Sequence, residues 1–161
     1  MSYHMRRKEL EITDPATLKK ILKSAKYITI ALVKDNQPYL VSLSHGYDED
    51  NNCIYFHCAN EGKKIDYLKA NNVVWGQAVL DGGYQEDECN HFFATTQFRG
   101  RVTFLKTIKE KQKAAEVMIK QLNKKPKKMI TDTTPEKLKT TIFGKINIEY
   151  MTGKKHGEID I

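Results

Sequence analysis

Cysteine, proline and tryptophan are scarce in this chain: three, four and one among 161 residues. Cys53, Cys58 and Cys89 are odd in number and none forms a C-x-x-C pair, so neither a disulfide framework nor a zinc ribbon is encoded. Reduced thiols are the default reading, and they point to the cytoplasm. No window approaches the ~18 apolar residues of a membrane-spanning helix. The opening "MSYHMRRKELEITD" has no apolar h-region, so no secretory leader is expected. A G-x-G-x-x-G fingerprint is also missing, which argues against a dedicated dinucleotide-binding unit. One domain over residues 1–161 is the expectation from length.

Positive charge is abundant, with a net charge of +7. Much of it lies in "KTIKEKQKAAEVMIKQLNKKPKK", Lys106 to Lys128. Thr107 and Glu110 stand at capping-box spacing there, and Ile108, Ala115, Met118 or Ile119, and Leu122 mark one face. The lysines then read as the solvated face of an amphipathic helix. Nucleic-acid binding is the weaker reading, because no nucleic-acid motif accompanies them and the aromatics lie elsewhere.

Strand signals dominate the rest. Asp14 and Pro15 begin a helix with Leu18, Ile21, Leu22 and Ala25 in a stripe. "YITIALVK", "YLVSLSH" and "CIYFHCA" follow as strands joined by "DNQP" and by a polar connection "GYDEDNN". A helix from Lys63 to Ala70 precedes "VVWGQAVL". Next come an acidic loop "DGGYQEDECN" and a long strand "HFFATTQFRGRVTFL", kinked at Gly100. Pro126 and its lysines read as a linker, Thr134–Pro135 as a helix start, and "KINIEYM" as the last strand. Short connections imply antiparallel pairing. The expected fold is mainly β with flanking helices, six antiparallel strands closed into a small barrel.

One stretch carries chemistry. In "YFHCANEGKKIDYL" a strand ends, Gly62 and the pair Lys63–Lys64 follow, and a helix begins. Unpaired N–H groups and the positive dipole end favour an anion there. Taken alone, the motif equally describes a turn with two surface lysines.

The block "YLVSLSHGYDEDNNCIYFHCANEGKKIDYLKANNVVW", with "MRRKELEITD" before it and "INIEYMTGK" after it, resembles the flavin-binding split-barrel proteins. These form the pyridoxamine 5'-phosphate oxidase-like superfamily, and the group related to nitroimidazole-resistance proteins looks nearest. The resemblance implies a six-stranded split barrel with FMN lying along the second strand, at Val41, Ser42, Leu43 and Ser44. It implies a phosphate held at Lys63 and Lys64 with help from Cys58 and Ala59. It also implies a homodimer, each flavin site being closed by the second copy, and Thr95, Thr96, Gln97 and Arg99 are the candidates for that contribution. Leu40 and His45 stand where the oxidase carries an arginine and a lysine, and its arginine-rich C-terminal motif is missing. Pyridoxamine-phosphate oxidation is therefore not expected.

His57 is the candidate catalytic group, a proton donor beside the flavin. A hydrogen-bonded histidine on a barrel edge is the equal alternative. Zinc is not expected of His57, Cys58, Cys89 and His91, because neighbours on a strand face opposite ways. Trp75, Phe92 and Phe93 read as core or dimer-interface residues, and Tyr84 with Cys89 as part of a lid. The resemblance implies an FMN-dependent oxidoreductase taking electrons from a nicotinamide donor or a redox partner and passing them to a small acceptor such as a nitroaromatic. The alternatives are a non-catalytic flavin-binding or storage protein, and a haem-binding split barrel with His57 or His45 as ligand. FAD or a deazaflavin in place of FMN is left open.

Overall fold

The structure, a computed structural model, describes residues 5–161; the first four residues of the stretch read for a leader lie outside the described residues. Helix α1 (Pro15–Ser24) opens the fold, its Asp14 cap accepting from the N–H groups of Ala16 and Thr17 at 3.1 and 3.0 Å. Strands β1 (Ile28–Lys34) and β2 (Gln37–Leu43) form a hairpin. Asp35 and Asn36 make its two-residue turn with φ of 50° and 57°, the positive pair that a type I′ turn requires. Then come β3 (Gly46–Asp48), β4 (Cys53–Cys58), α2 (Lys63–Ala70), β5 (Val73–Gln85) and β6 (Asn90–Phe104). Helices α3 (Ile108–Leu122), α4 (Pro126–Thr131) and α5 (Pro135–Thr140) lead to β7 (Ile142–His156). Among the described residues, no helix is long and apolar enough to cross a membrane.

All the pairings are antiparallel, in the order β2-β1-β5-β6-β7-β4-β3. The sheet curls so that strands distant in this order share one core. Ile30 and Leu32 of β1, Phe98 of β6, and Ile54 and Phe56 of β4 are fully buried in the same cluster. A second cluster lies on the other face of β4, where Cys53 and Tyr55 meet Ala114, Met118 and Leu138 of the helices. Helix α3 starts with the expected capping box, Thr107 and Glu110 satisfying each other's backbone N–H.

Several expectations need correction. Among the described residues there are seven strands, not six, and the sheet is not closed. The additional strand, β3, lies in the segment read as a polar connection. Its three residues are buried because α3 covers them. A Cβ on Gly46 would come within 2.7 Å of the Met118 backbone, so only glycine permits this approach. Tyr47 donates its N–H to the Gln121 side chain at 2.8 Å, and Asp48 pairs with Lys113 at 2.8 Å.

The acidic segment is no loop either. After an irregularity between Asp81 and Tyr84, β5 and β6 resume pairing at Tyr84–His91 and Gln85–Asn90. The Pro126 linker is helix α4, and the last strand runs well past Lys145–Met151 at both ends. At Gly100 the expected kink is present as a register shift against β7 between Arg99 and Gly100.

Candidate functional site

The N-terminus of α2 opens beside β2. Gly62 has φ of +115°, a conformation that L side chains rarely adopt, and space beside it is open, since a Cβ there would meet nothing within 4 Å. No side chain caps this helix; Ile65 and Asp66 both donate to the Gly62 carbonyl, which leaves the Lys63 and Lys64 N–H groups without intrahelical partners.

The two lysines are not equivalent. Lys63 lies with its Nζ 4.5 Å from the Tyr39 ring centre and 5.5 Å from that of Tyr67, so two aromatic faces fix its charge. Lys64 is half-buried and near Cys58. Burial pushes the Cys58 thiol above its ordinary value, and the Lys64 charge pulls in the opposite direction. Cys58 is therefore a neutral, partly buried wall at neutral pH, not a nucleophile.

Strand β2 is an edge. With Lys34 and Gln37 closing a two-residue hairpin, Tyr39, Val41 and Leu43 direct their backbone groups to β1, and Leu40 and Ser42 direct theirs outward. Pro38, also at an outward-directed position, has no N–H to leave unpaired. Side chains alternate too: Leu43 is core, Val41 and Tyr39 pack against the core, and Leu40 and Ser42 are exposed. Of the four candidates, then, Ser42 offers both side chain and backbone, and Ser44, exposed, lies just past the end of β2. Val41 and Leu43 serve as packing beneath. Ala59, exposed in the turn between β4 and α2, contributes backbone only.

His57 faces away from Cys58. It borders a cavity of about 420 Å³ between β4, β7 and helices α3, α4 and α5, with its ring 6.1 Å from that of Phe143. Its ring nitrogens have no hydrogen-bond partner among the described residues. His45, by contrast, is fully buried; Nε2 donates to the Leu22 carbonyl at 2.7 Å, and Nδ1 is a buried acceptor without a partner. Desolvation lowers its pKa below the ordinary histidine value. The ring lies against Leu22 of α1 and Gln121 of α3 and presents no exposed face to a haem.

Gln97 and Arg99 lie elsewhere. The register aligns Ser42, Thr29, Gln77, Gln97 and Thr152 in one row across the exposed face of β2-β1-β5-β6-β7. A second row runs Leu40, Ala31, Trp75, Arg99 and Tyr150. Ser42 and Gln97 are three strand spacings apart, ~14 Å. Arg99 pairs with Glu149, which also holds Arg101 at 2.8 Å. Gln97, Trp75 and Tyr150 border a second cavity, of about 380 Å³, on this face. Within one chain these residues do not meet Lys64.

Sequence reasoning missed the Tyr39–Tyr67 cage and the Trp75–Tyr150 pair, whose rings stand edge to face at 6.1 Å. The i,i+4 spacing of Lys63 and Tyr67 was a signal for half of the first. The others depend on strand register, which one sequence does not display.

The model of the family "Pyridoxamine 5'-phosphate oxidase" matches residues 14–155. No curated protein matches the chain. Among solved structures, a candidate 5-nitroimidazole antibiotic resistance protein from Bacteroides thetaiotaomicron superposes with a TM-score of 0.76 at 23% identity, covering 95% of each chain. A flavocytochrome from Azotobacter vinelandii gives 0.80 at 15% identity, over 99% of this chain and 76% of that one. A FAD-binding protein from Mesorhizobium loti gives 0.66 at 23%, over 89% and 96%. At these identities the likeness is one of fold.

Proposed function

The chain belongs to the pyridoxamine 5'-phosphate oxidase family, and from that premise we propose that it binds a flavin, FMN in the first instance, and reduces a small electron-poor acceptor such as a nitroaromatic. The observation that carries this reading is an uncapped, lysine-bearing helix N-terminus opening beside the unpaired edge of β2. The phosphate-binding groups would be the N–H groups of Lys63 and Lys64 and the Lys64 ammonium, with Gly62 allowing close approach. Lys63, seated on its two tyrosines, would contribute a fixed field more than a direct contact. The outward N–H and C=O groups of Leu40 and Ser42 match the donor and acceptor edge of a flavin ring. The FAD-binding and flavocytochrome relatives support the cofactor class.

When bound, a flavin supplies the electron transfer itself; the chain orients it and sets its surroundings. Tyr39, Val41 and Cys58 form an apolar, weakly polar wall that keeps water from that side. His57 faces away from Cys58 and Lys64, so this reading gives it no part beside the flavin. The exposed rows carrying Gln97 and Arg99 suit a second copy of the chain, because Leu40 at 67% and Trp75 at 37% exposure leave apolar surface there uncovered.

The test is retention of flavin. Wild-type protein mixed with FMN and desalted is expected to keep the visible flavin absorption. The double variant Lys63→Ala, Lys64→Ala is expected to lose it, with Lys64→Ala alone accounting for most of the loss. A double variant that stays yellow would sink the phosphate assignment.

A further inference from the structure

The cavity beside His57 is walled by side chains of unequal character. Met118, Ile119, Leu122, Met129, Leu138 and Phe143 give it an apolar lining, and Leu122 and Met129 remain 41% and 48% exposed. Its polar residues are mostly committed. Asn123 donates to the Ile119 carbonyl at 3.2 Å, Thr133 to Met129 at 2.8 Å and Thr141 to Lys137 at 2.9 Å, each satisfied within its own helical segment. That leaves His57, with free ring nitrogens, and Lys137, whose ammonium donates to the Asp132 carbonyl at 2.8 Å and keeps further donors. No carboxylate lines the cavity.

The surround repeats the bias. Segment 123–141 carries six lysines against Asp132 and Glu136. None of those lysines is ion-paired among the described residues, although Lys19, Lys23, Lys113 and Lys120 elsewhere are. A volume of about 420 Å³ falls within the ~300–1,000 Å³ range of small-molecule sites. An apolar chamber whose uncommitted donors are an imidazole and an ammonium, under a positive local field, selects an apolar body with an anionic head.

We propose that this cavity binds a small amphipathic carboxylate, its apolar body among Met118, Met129 and Phe143 and its carboxylate held by Lys137 with His57 as second donor. The inference stands apart from the flavin reading, since the cavity lies on the opposite face of β4 from Cys58 and Lys64. A neutral apolar ligand would leave the Lys137 donors unused, and a cationic one would meet the like charge of Lys137 and of the neighbouring lysines.

The experiment is a titration of full-length protein, free of added flavin, with three probes sharing one alkyl chain: octanoate, 1-octanol and octylammonium. The readout is the ¹³C-methyl NMR signals of its five methionines. Met118 and Met129 line the cavity; Met151 does not, and Met5 borders the other cavity. Octanoate is expected to shift Met118 and Met129 saturably, leaving Met151 unmoved, with octanol and octylammonium at least ~tenfold weaker. Ala115→Phe, which fills the chamber, is expected to abolish the shifts. Lys137→Gln, a change at the surface that spares the core, should weaken octanoate severalfold and leave octanol unchanged. Non-saturable shifts, equal affinity for octanoate and octylammonium, or an unaffected Lys137→Gln would each overturn the proposal. Flavin retention by the wild type is scored separately and bears on none of these outcomes.

Discussion

The two faces of β4 are built from the same six residues and end differently. Ile54 and Phe56 point into the curled sheet, are fully buried and leave no room. Cys53, Tyr55 and His57 point at three helices and leave a cavity. The cause is the partner. A sheet curling over its own concave face brings β-branched and aromatic side chains together at regular spacing, so the core fills. Helices α4 and α5 are only six residues long, and beside α3 they leave the end of β4 at His57 uncovered by close packing. A solid face holds the fold; a face that packs incompletely is where a ligand can enter.

Truncation on the solid face breaks this contrast most sharply. Phe56→Ala is expected to cost ~3–5 kcal/mol, near the top of that range, because the surroundings cannot collapse. Phe143→Ala, at the cavity wall, should fall near the bottom of the same range. Chemical denaturation of both variants checks the order, and equal losses would show that the helical face is as well packed as the barrel.

Enlargement gives the converse. Ala78→Leu on the sheet's inner face should destabilise by ~1–3 kcal/mol through overpacking, whereas Ala115→Leu has space to occupy and should cost little or stabilise. Thermal melts of the pair decide it.

Acid sharpens a different boundary, that between α1 and α3. His45 has its pKa lowered by burial, so between the folded and unfolded values the unfolded chain binds the additional proton. Its contribution is complete above the unfolded value, ~6.5, and is lost as pH falls toward the folded one. Melting temperature should therefore drop between about pH 7.5 and pH 5.5, before carboxylates titrate. In His45→Gln that slope should flatten even though the baseline is lower. A local effect remains at the far end of α3, where Thr107→Ala removes a cap and should cost ~1 kcal/mol with the cavity untouched.

Local chemistry was legible before any coordinates. Asp14 with Pro15 and the Thr107–Glu110 box are caps, and Gly62 before the lysine pair marks an uncapped helix start; each depends on residues no more than four apart. Missing were β3 and the β5–β6 extension. Each depends on a distant partner: α3 burying Gly46, and His91 pairing with Tyr84 across a bulge. The candidate site divides the same way. Lys63, Lys64, Ser42 and His57 were visible as residues. Nothing local showed that Lys63 would be fixed by Tyr39, or that His57 and Cys58 would border different spaces with different contents.

The sequence by itself determined a β-rich chain, its helix starts, a turn within "DNQP" and an anion-favouring helix terminus at Gly62, because each follows from short-range sterics and hydrogen bonding. Only the tertiary structure decided which strand would be an edge, which rows of side chains would lie exposed, and which face of β4 would stay hollow. Those outcomes depend on contacts between residues far apart in the chain, and the packing of whole elements, not the preference of any one segment, sets them.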